Sequence, residues 1–158
     1  MKKICIVANN PRVCNIPDKY DYYVHFNWAN NFASTPSKKN IMAMRYNDVA
    51  EGLKKMKWHH YCNYAHSSIA IGDPEVIRKI DTKIPIIDTT KSPTPPGKPP
   101  YPTSGFAAIH FYLNKGYDVT ICGFDIEKAI YYGKSRHNLD WEKEEIAKMV
   151  KSGIVKSI

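Results

Sequence analysis

Apolar residues along this chain fall in short runs separated by polar turns, and the period of the pattern changes from run to run. Residues 4–7 are apolar, rich in β-branched side chains and closed by Asn9-Asn10-Pro11, as in a buried strand that ends in a polar turn. Residues 20–27 (Tyr-Asp-Tyr-Tyr-Val-His-Phe-Asn) are rich in strand formers and predict a second strand. Alternation over 41–46 predicts a third. Asp48 is placed to cap a helix reaching about residue 57, and Asp73 followed by Pro74 starts another to about residue 79. Residues 67–71 and 84–87 complete the first half as strands.

The texture then changes, with six prolines among the twelve residues 91–102. No helix or central strand tolerates that density, so the segment is an extended loop or lid. Thr103-Ser104-Gly105 leads into a helix over 106–114, ended by Lys115-Gly116. Residues 118–122 form a β-branched strand running into Gly123-Phe124-Asp125, and 139–151 an amphipathic helix closed by Ser152-Gly153. Strands alternating with helices predict an α/β fold, a Rossmann-like three-layer sandwich with a mostly parallel sheet. Such sheets bind ligands at the carboxyl ends of their strands. Asn9, Asn10, Asn27, Thr103, Ser104 and Asp125 all fall at strand ends or helix starts.

Composition narrows the reading. A chain of 158 residues is one domain by length and buries roughly 70% of its unfolded surface. With 43% hydrophobic and 24% charged residues and a mean hydropathy of -0.46, it is neither disordered nor fibrous. Its longest apolar runs are four to six residues, against the ~20 of a membrane span. No signal-peptide pattern opens the chain, so a cytoplasmic location is expected. Four cysteines, at 5, 14, 62 and 122, form no CxxC and are expected to be free thiols.

Charge is the strongest compositional signal: 23 Lys+Arg against 15 Asp+Glu give a net +8. That excess favours an anionic partner such as a nucleotide, an acidic glycan, a membrane surface or nucleic acid. No RNP, helix-turn-helix or zinc-finger signature accompanies it, which argues against nucleic acid. Most of the scattered lysines are expected to be solvated helix faces.

Two segments carry chemistry. Pro102-Thr103-Ser104-Gly105 at a helix start offers first-turn N–H groups, two hydroxyls and a glycine that permits close approach, all suited to an anion. The plain alternative is an ordinary N-cap. His137 opens His-Asn-Leu-Asp-Trp-Glu, which brings Glu142 into the first turn of the last helix. A histidine there has a pKa suited to proton transfer, against the alternative of a solvated loop side chain.

Together these segments make the sequence resemble the sialyltransferase family. Residues 6–11 followed by 21–27 resemble the family's large motif, in which a Val-Gly-Asn opening precedes a strand ending in Asn. Residues 102–125 are similar to the small motif: Pro-Ser/Thr-Ser/Thr-Gly, a helix, then a strand ending Gly-Phe. His137 and Glu142, separated by four residues, match the very small motif, and residues 149–155 continue as its helix and Gly-Ile/Val exit do.

The resemblance implies inverting glycosyl transfer from a CMP-sugar, sialic acid being the usual sugar, with no cofactor and no obligatory metal. Asn9, Asn10 and Asn27 are implied to hold the nucleotide, Thr103, Ser104 and Gly105 its phosphate or ribose, and His137 to act as general base. The family's His-Tyr-Tyr motif aligns with Ile130-Tyr131-Tyr132, which leaves Tyr131 and Tyr132 as donor-site residues and no histidine for the departing phosphate. The small-motif cysteine of animal members is replaced near Gly116, consistent with a reducing compartment and a bacterial or viral type of member. The chain is also shorter than typical members. A glycan or lipopolysaccharide-type acceptor is implied, with peripheral contact to the inner face of an anionic membrane and no nucleic acid.

Other candidates rank lower. His59, His60, Cys62 and His66 are soft ligands in one compact set without the second half that zinc sites usually show. Asp125-Ile126-Glu127 follows a strand but is not Asp-x-Asp, so a turn is favoured over a Mg²⁺ or Mn²⁺ site. No Walker lysine motif, GxGxxG, GxSxG or HExxH is present. The competing function from another class is a non-catalytic nucleotide- or glycan-binding protein on the same fold. A third, a nucleic-acid accessory protein, rests on charge alone.

Overall fold

The computed structural model describes residues 1–8, 15–26, 34–45, 67–79, 83–95, 102–124 and 139–158. Within them the strands are β1 (Lys3–Val7), β2 (Tyr22–Phe26), β3 (Asn40–Arg45), β4 (Ser67–Gly72), β5 (Ile86–Asp88), β6 (Asp118–Cys122) and β7 (Lys156–Ser157). The helices are α1 (Pro74–Ile77), α2 (Ser104–Asn114) and α3 (Leu139–Lys151). All seven strands form one sheet in the order β5-β4-β3-β2-β1-β6-β7, and every pairing is parallel. The fold is α/β and Rossmann-like.

Parallel strands covered on both faces read as continuous apolar runs, which explains why Ile4, Cys5, Ile6 and Val7 are all buried. Alternate residues supply two cores. Ile4, Ile6, Val24, Ile71, Val119 and Ile121 point to the face packed by Phe106, Ile109 and Tyr112 of α2 and Ile146 of α3. Cys5, Val7, Tyr23 and Cys122 point to the other face, under Ile16 and Tyr20. The Tyr23 hydroxyl donates to the Pro17 carbonyl at 2.8 Å and ties that cover to the sheet.

The chain steps outward from β1 to β5, then returns along α2 to place β6 on the other side of β1. Right-handed connections put outward and returning segments on opposite faces, as Ile16 and Tyr20 on one face and α2 and α3 on the other bear out. The direction reverses between β1 and β6. Their carboxyl ends are closed together by Ala8 N–H donating to the Cys122 carbonyl at 2.9 Å.

Most sequence expectations match within two residues, β6 and α3 at both ends. The helix predicted from Asp73 to residue 79 is a single turn, capped by Asp73 accepting from the Glu75 N–H at 2.8 Å. Arg78 then donates to the Ile84 carbonyl at 2.9 Å and draws the chain back toward β5. Strand β5 starts after Pro85, which lacks an N–H, although its carbonyl accepts from Ala70 N–H at 2.9 Å. β7 was not predicted; two residues carry no period. The proposed helix from Asp48 lies outside the described residues, as do Cys14 and Cys62, whereas Cys5 and Cys122 are buried free thiols. No helix among the described residues is long and apolar enough to cross a membrane.

Candidate site at the carboxyl edge of the sheet

At the carboxyl ends of β1 and β6, where the strand order reverses, lies the position where open α/β sheets take their ligands. The start of α2 is at that edge, because α2 is followed by the amino end of β6. Thr103 is its N-cap, extended at φ −62° and ψ 157°, and its Oγ1 accepts from Phe106 N–H at 3.2 Å. Arg45, at the carboxyl end of β3, donates Nη2 to the Pro102 carbonyl at 2.6 Å and fixes the approach to the helix.

The main contact here was not foreseen. Glu142, buried in the first turn of α3, accepts from Thr103 N–H at 2.8 Å with Oε1 and from Thr103 Oγ1 at 2.6 Å with Oε2. One carboxylate therefore sits at two helix N-termini, its own and that of α2, where both macrodipoles favour negative charge. The chain fills part of the predicted anion position itself, and Thr103 spends its amide, its hydroxyl proton and one oxygen lone pair on protein partners. Ser104 and Gly105 N–H make no hydrogen bond among the described residues and are the donors left for a ligand.

Gly105 is required by packing. A Cβ built there would lie 2.7 Å from Phe124 Cε1 and 2.9 Å from Cζ, so the close approach it permits is that of the Phe124 ring. Gly123, at φ 74°, makes the left-handed turn that carries Phe124 away from β6. The Gly-Phe pair and the Thr-Ser-Gly segment thus pack as one unit.

On the opposite face, sequence reasoning missed His25. It is buried in β2, with Nε2 2.8 Å from Thr35 Oγ1, and Thr35 donates its own proton to Asn40 Oδ1 at 2.7 Å. The Thr35 oxygen must then accept, which places the proton on His25 Nε2. Burial lowers the His25 pKa to about 4, so the ring is neutral. The only signal in the sequence was a histidine inside an apolar strand, two residues before Asn27. On the helix, His110 packs edge-on to Phe106 with centroids 4.6 Å apart. Its Nε2 is buried without a partner among the described residues.

Cys5 and Cys122 lie diagonally on β1 and β6, two residues from register. Cys5 donates to Cys122, and that bond together with burial pushes its thiol up, which rules Cys5 out as a nucleophile.

Of the residues singled out from sequence, Thr103, Ser104, Gly105 and Glu142 are brought together. Asn9, Asn10, Asn27, Asp125, Glu127, Tyr131, Tyr132 and His137 lie outside the described residues, as do His59, His60, Cys62 and His66. Among the described residues no group of three or more His, Cys, Asp or Glu could hold a metal ion. No family model matches the chain, and neither a curated protein nor a solved structure matches it.

Proposed function

We propose that this protein is a glycosyltransferase of sialyltransferase type, transferring a sugar, sialic acid first among them, from a CMP-sugar to a glycan hydroxyl. The observation that carries the reading is the Thr103–Glu142 pairing. It joins the segment resembling the small motif to the segment resembling the very small motif, at the edge where this fold class binds ligands.

In this reading the Ser104 and Gly105 N–H groups face the donor's phosphate or ribose, and Asn9, Asn10 and Asn27 approach the nucleotide from the ends of β1 and β2. Tyr131 and Tyr132 complete the donor side. His137, two residues before α3 begins at Leu139, takes the proton of the acceptor hydroxyl. The acceptor oxygen bonds to the anomeric carbon from the face opposite the phosphate, the anomeric C–O bond to phosphate breaks with its electron pair, and CMP leaves. Configuration inverts, and the chain's own groups supply the base without a metal.

Thermal stabilisation by CMP, set against UMP, UDP, GDP and ADP, tests the donor site. CMP at about 100 times its Kd adds about 2.7 kcal/mol of stability, and the other nucleotides add little. His137→Ala is expected to keep that shift and lose transfer. Full activity in this variant overturns the mechanism, and no shift with any nucleotide removes the donor site. Ile130 in place of the family histidine favours the second reading, a non-catalytic binder; a CMP shift without turnover of any CMP-sugar, hydrolysis included, selects it.

A further inference from the structure

The amino edge of the sheet, opposite the candidate site, is dominated by lysine. Lys2 and Lys3 stand at the start of β1, Lys19 before β2, Lys38 before β3, Lys115 before β6 and Lys151 before β7, and all six are exposed. Preceding or opening a strand of an all-parallel sheet puts each of them at the same end. Among the described residues, the acidic groups at this edge are Asp18, Asp21 and Asp118. Asp18 is taken by Lys39 at 2.6 Å and Asp118 by Lys156 at 2.7 Å, while Asp21 accepts from the Lys3 backbone N–H at 2.7 Å. The six lysines have no ion pair among the described residues.

Three of them are held in place without being neutralised. Lys2 lies 5.5 Å from the Tyr22 ring centroid, Lys19 5.5 Å from that of Tyr20 and Lys115 5.2 Å from that of Phe111. The ammonium groups lie over the ring faces, a contact that positions each charge without cancelling it. From Lys38 at β3 to Lys151 at β7 the edge crosses four strand intervals, roughly 19 Å. Ile154, between Lys151 and Lys156, is 57% exposed beside them.

We propose that this edge docks the protein on an anionic lipid bilayer. The lysines would lie over headgroup phosphates, Ile154 would enter the interface, and the carboxyl edge with its site would face water. Charge complementarity over a broad edge with one exposed aliphatic side chain is how peripheral proteins hold anionic membranes. Single-stranded nucleic acid is disfavoured because it needs exposed aromatic platforms, and the exposed large apolar side chains among the described residues are Met1, Val76, Ile154 and Ile158, none aromatic.

The test is sedimentation of the full chain with vesicles of phosphatidylglycerol and phosphatidylcholine in equal parts, against pure phosphatidylcholine. It needs no catalytic readout, so its outcome is independent of the proposed transfer reaction. Lys3 and Lys151 are exposed and their side chains make no hydrogen bond, ion pair or ring contact among the described residues, so Lys3→Gln/Lys151→Gln is expected to keep the wild-type melting temperature. Each lysine removed is expected to weaken binding about fivefold, the pair about 25-fold, with the remainder falling as salt rises. Lys91→Gln/Lys143→Gln, equal in charge but away from this edge, is expected to stay within about threefold of wild type on the same electrostatic argument. Absence of wild-type binding to the anionic vesicles overturns the proposal, as does equal loss in the two double variants. Tighter binding to a single-stranded oligonucleotide than to the vesicles overturns it in favour of nucleic acid.

Discussion

Replacing Glu142 by Ala tests the contact on which the site depends. The carboxylate is buried and accepts two hydrogen bonds from one residue, Thr103 N–H at 2.8 Å and Oγ1 at 2.6 Å. Hydrogen bonds to a charged acceptor contribute about 1.5–3 kcal/mol each, and charge at a helix N-terminus about 0.3–1 kcal/mol for each helix. Against this, the buried carboxylate costs desolvation that the variant no longer carries, and the half-buried Thr103 hydroxyl can turn toward water. The amide cannot turn. Its lost partner, the dipole contribution and the vacated side-chain volume leave a net loss of about 3 kcal/mol. For a domain of this size that lowers Tm by roughly 6–12 °C.

Glu142→Gln keeps the shape and one acceptor, so it is expected to lose about half as much, roughly 1.5 kcal/mol. Urea denaturation with a constant m-value measures both. Combining Glu142→Ala with Thr103→Val should cost less than the two single changes added together, because they remove a shared interaction. An Ala variant within about 0.5 kcal/mol of wild type, the spread of ordinary surface substitutions, would falsify the claim that this carboxylate holds α2 and α3 together.

Two further outcomes follow from buried groups. His25 is neutral in the fold with a pKa of about 4, whereas in the unfolded chain it takes a proton near its ordinary value of 6.5. Its stabilising contribution is therefore complete above about pH 7, and falls by up to about 3 kcal/mol as pH drops through 6.5 toward 4. His25→Gln keeps an N–H donor for Thr35 but cannot titrate, so the stability difference between wild type and variant should shrink over that window; a constant difference refutes the assignment. Gly105→Ala puts a methyl 2.7 Å from Phe124 Cε1, and the overpacking cost of about 1–3 kcal/mol outweighs a helix-propensity gain of at most about 1 kcal/mol. In a Phe124→Leu background the same change should become neutral or stabilising, and an unchanged cost there shows that Phe124 is not what Gly105 accommodates.

The legible parts of the fold were those where one physical signal acts alone. β6 and α3 were bounded correctly because β-branched residues end at a glycine in one, and a helical period ends at Ser152-Gly153 in the other. The helix after Asp73 was overestimated because its cap and proline start a helix but say nothing of how far it runs. Once Arg78 reaches the Ile84 carbonyl, tertiary contact decides the length. β7 was invisible because two exposed residues become a strand only when β6 offers an edge. His25 was read as a strand residue, since its partners Thr35 and Asn40 lie ten and fifteen positions away and meet it only in the folded sheet.

The helix start at Thr103 shows what kind of site information a sequence does not carry. From the residues alone, Thr-Ser-Gly before a helix is an anion site or a plain cap, and the two readings compete. In the fold they coexist on different atoms. Thr103 is the cap, held by a carboxylate from another helix, and the donors left without a partner among the described residues are one and two residues on, at the Ser104 and Gly105 N–H groups. That division has an electrostatic consequence. Glu142 already answers the positive end of α2, so the dipole alone is a weak attraction for a second anion at Ser104 and Gly105. A phosphate bound there must draw its counter-charge from cationic side chains at the carboxyl edge, and Arg45 is anchored to Pro102 one residue before the cap. The net charge of +8 is then more than a general property of the surface. It becomes a local requirement at one edge of the sheet, distinct from the lysines of the other.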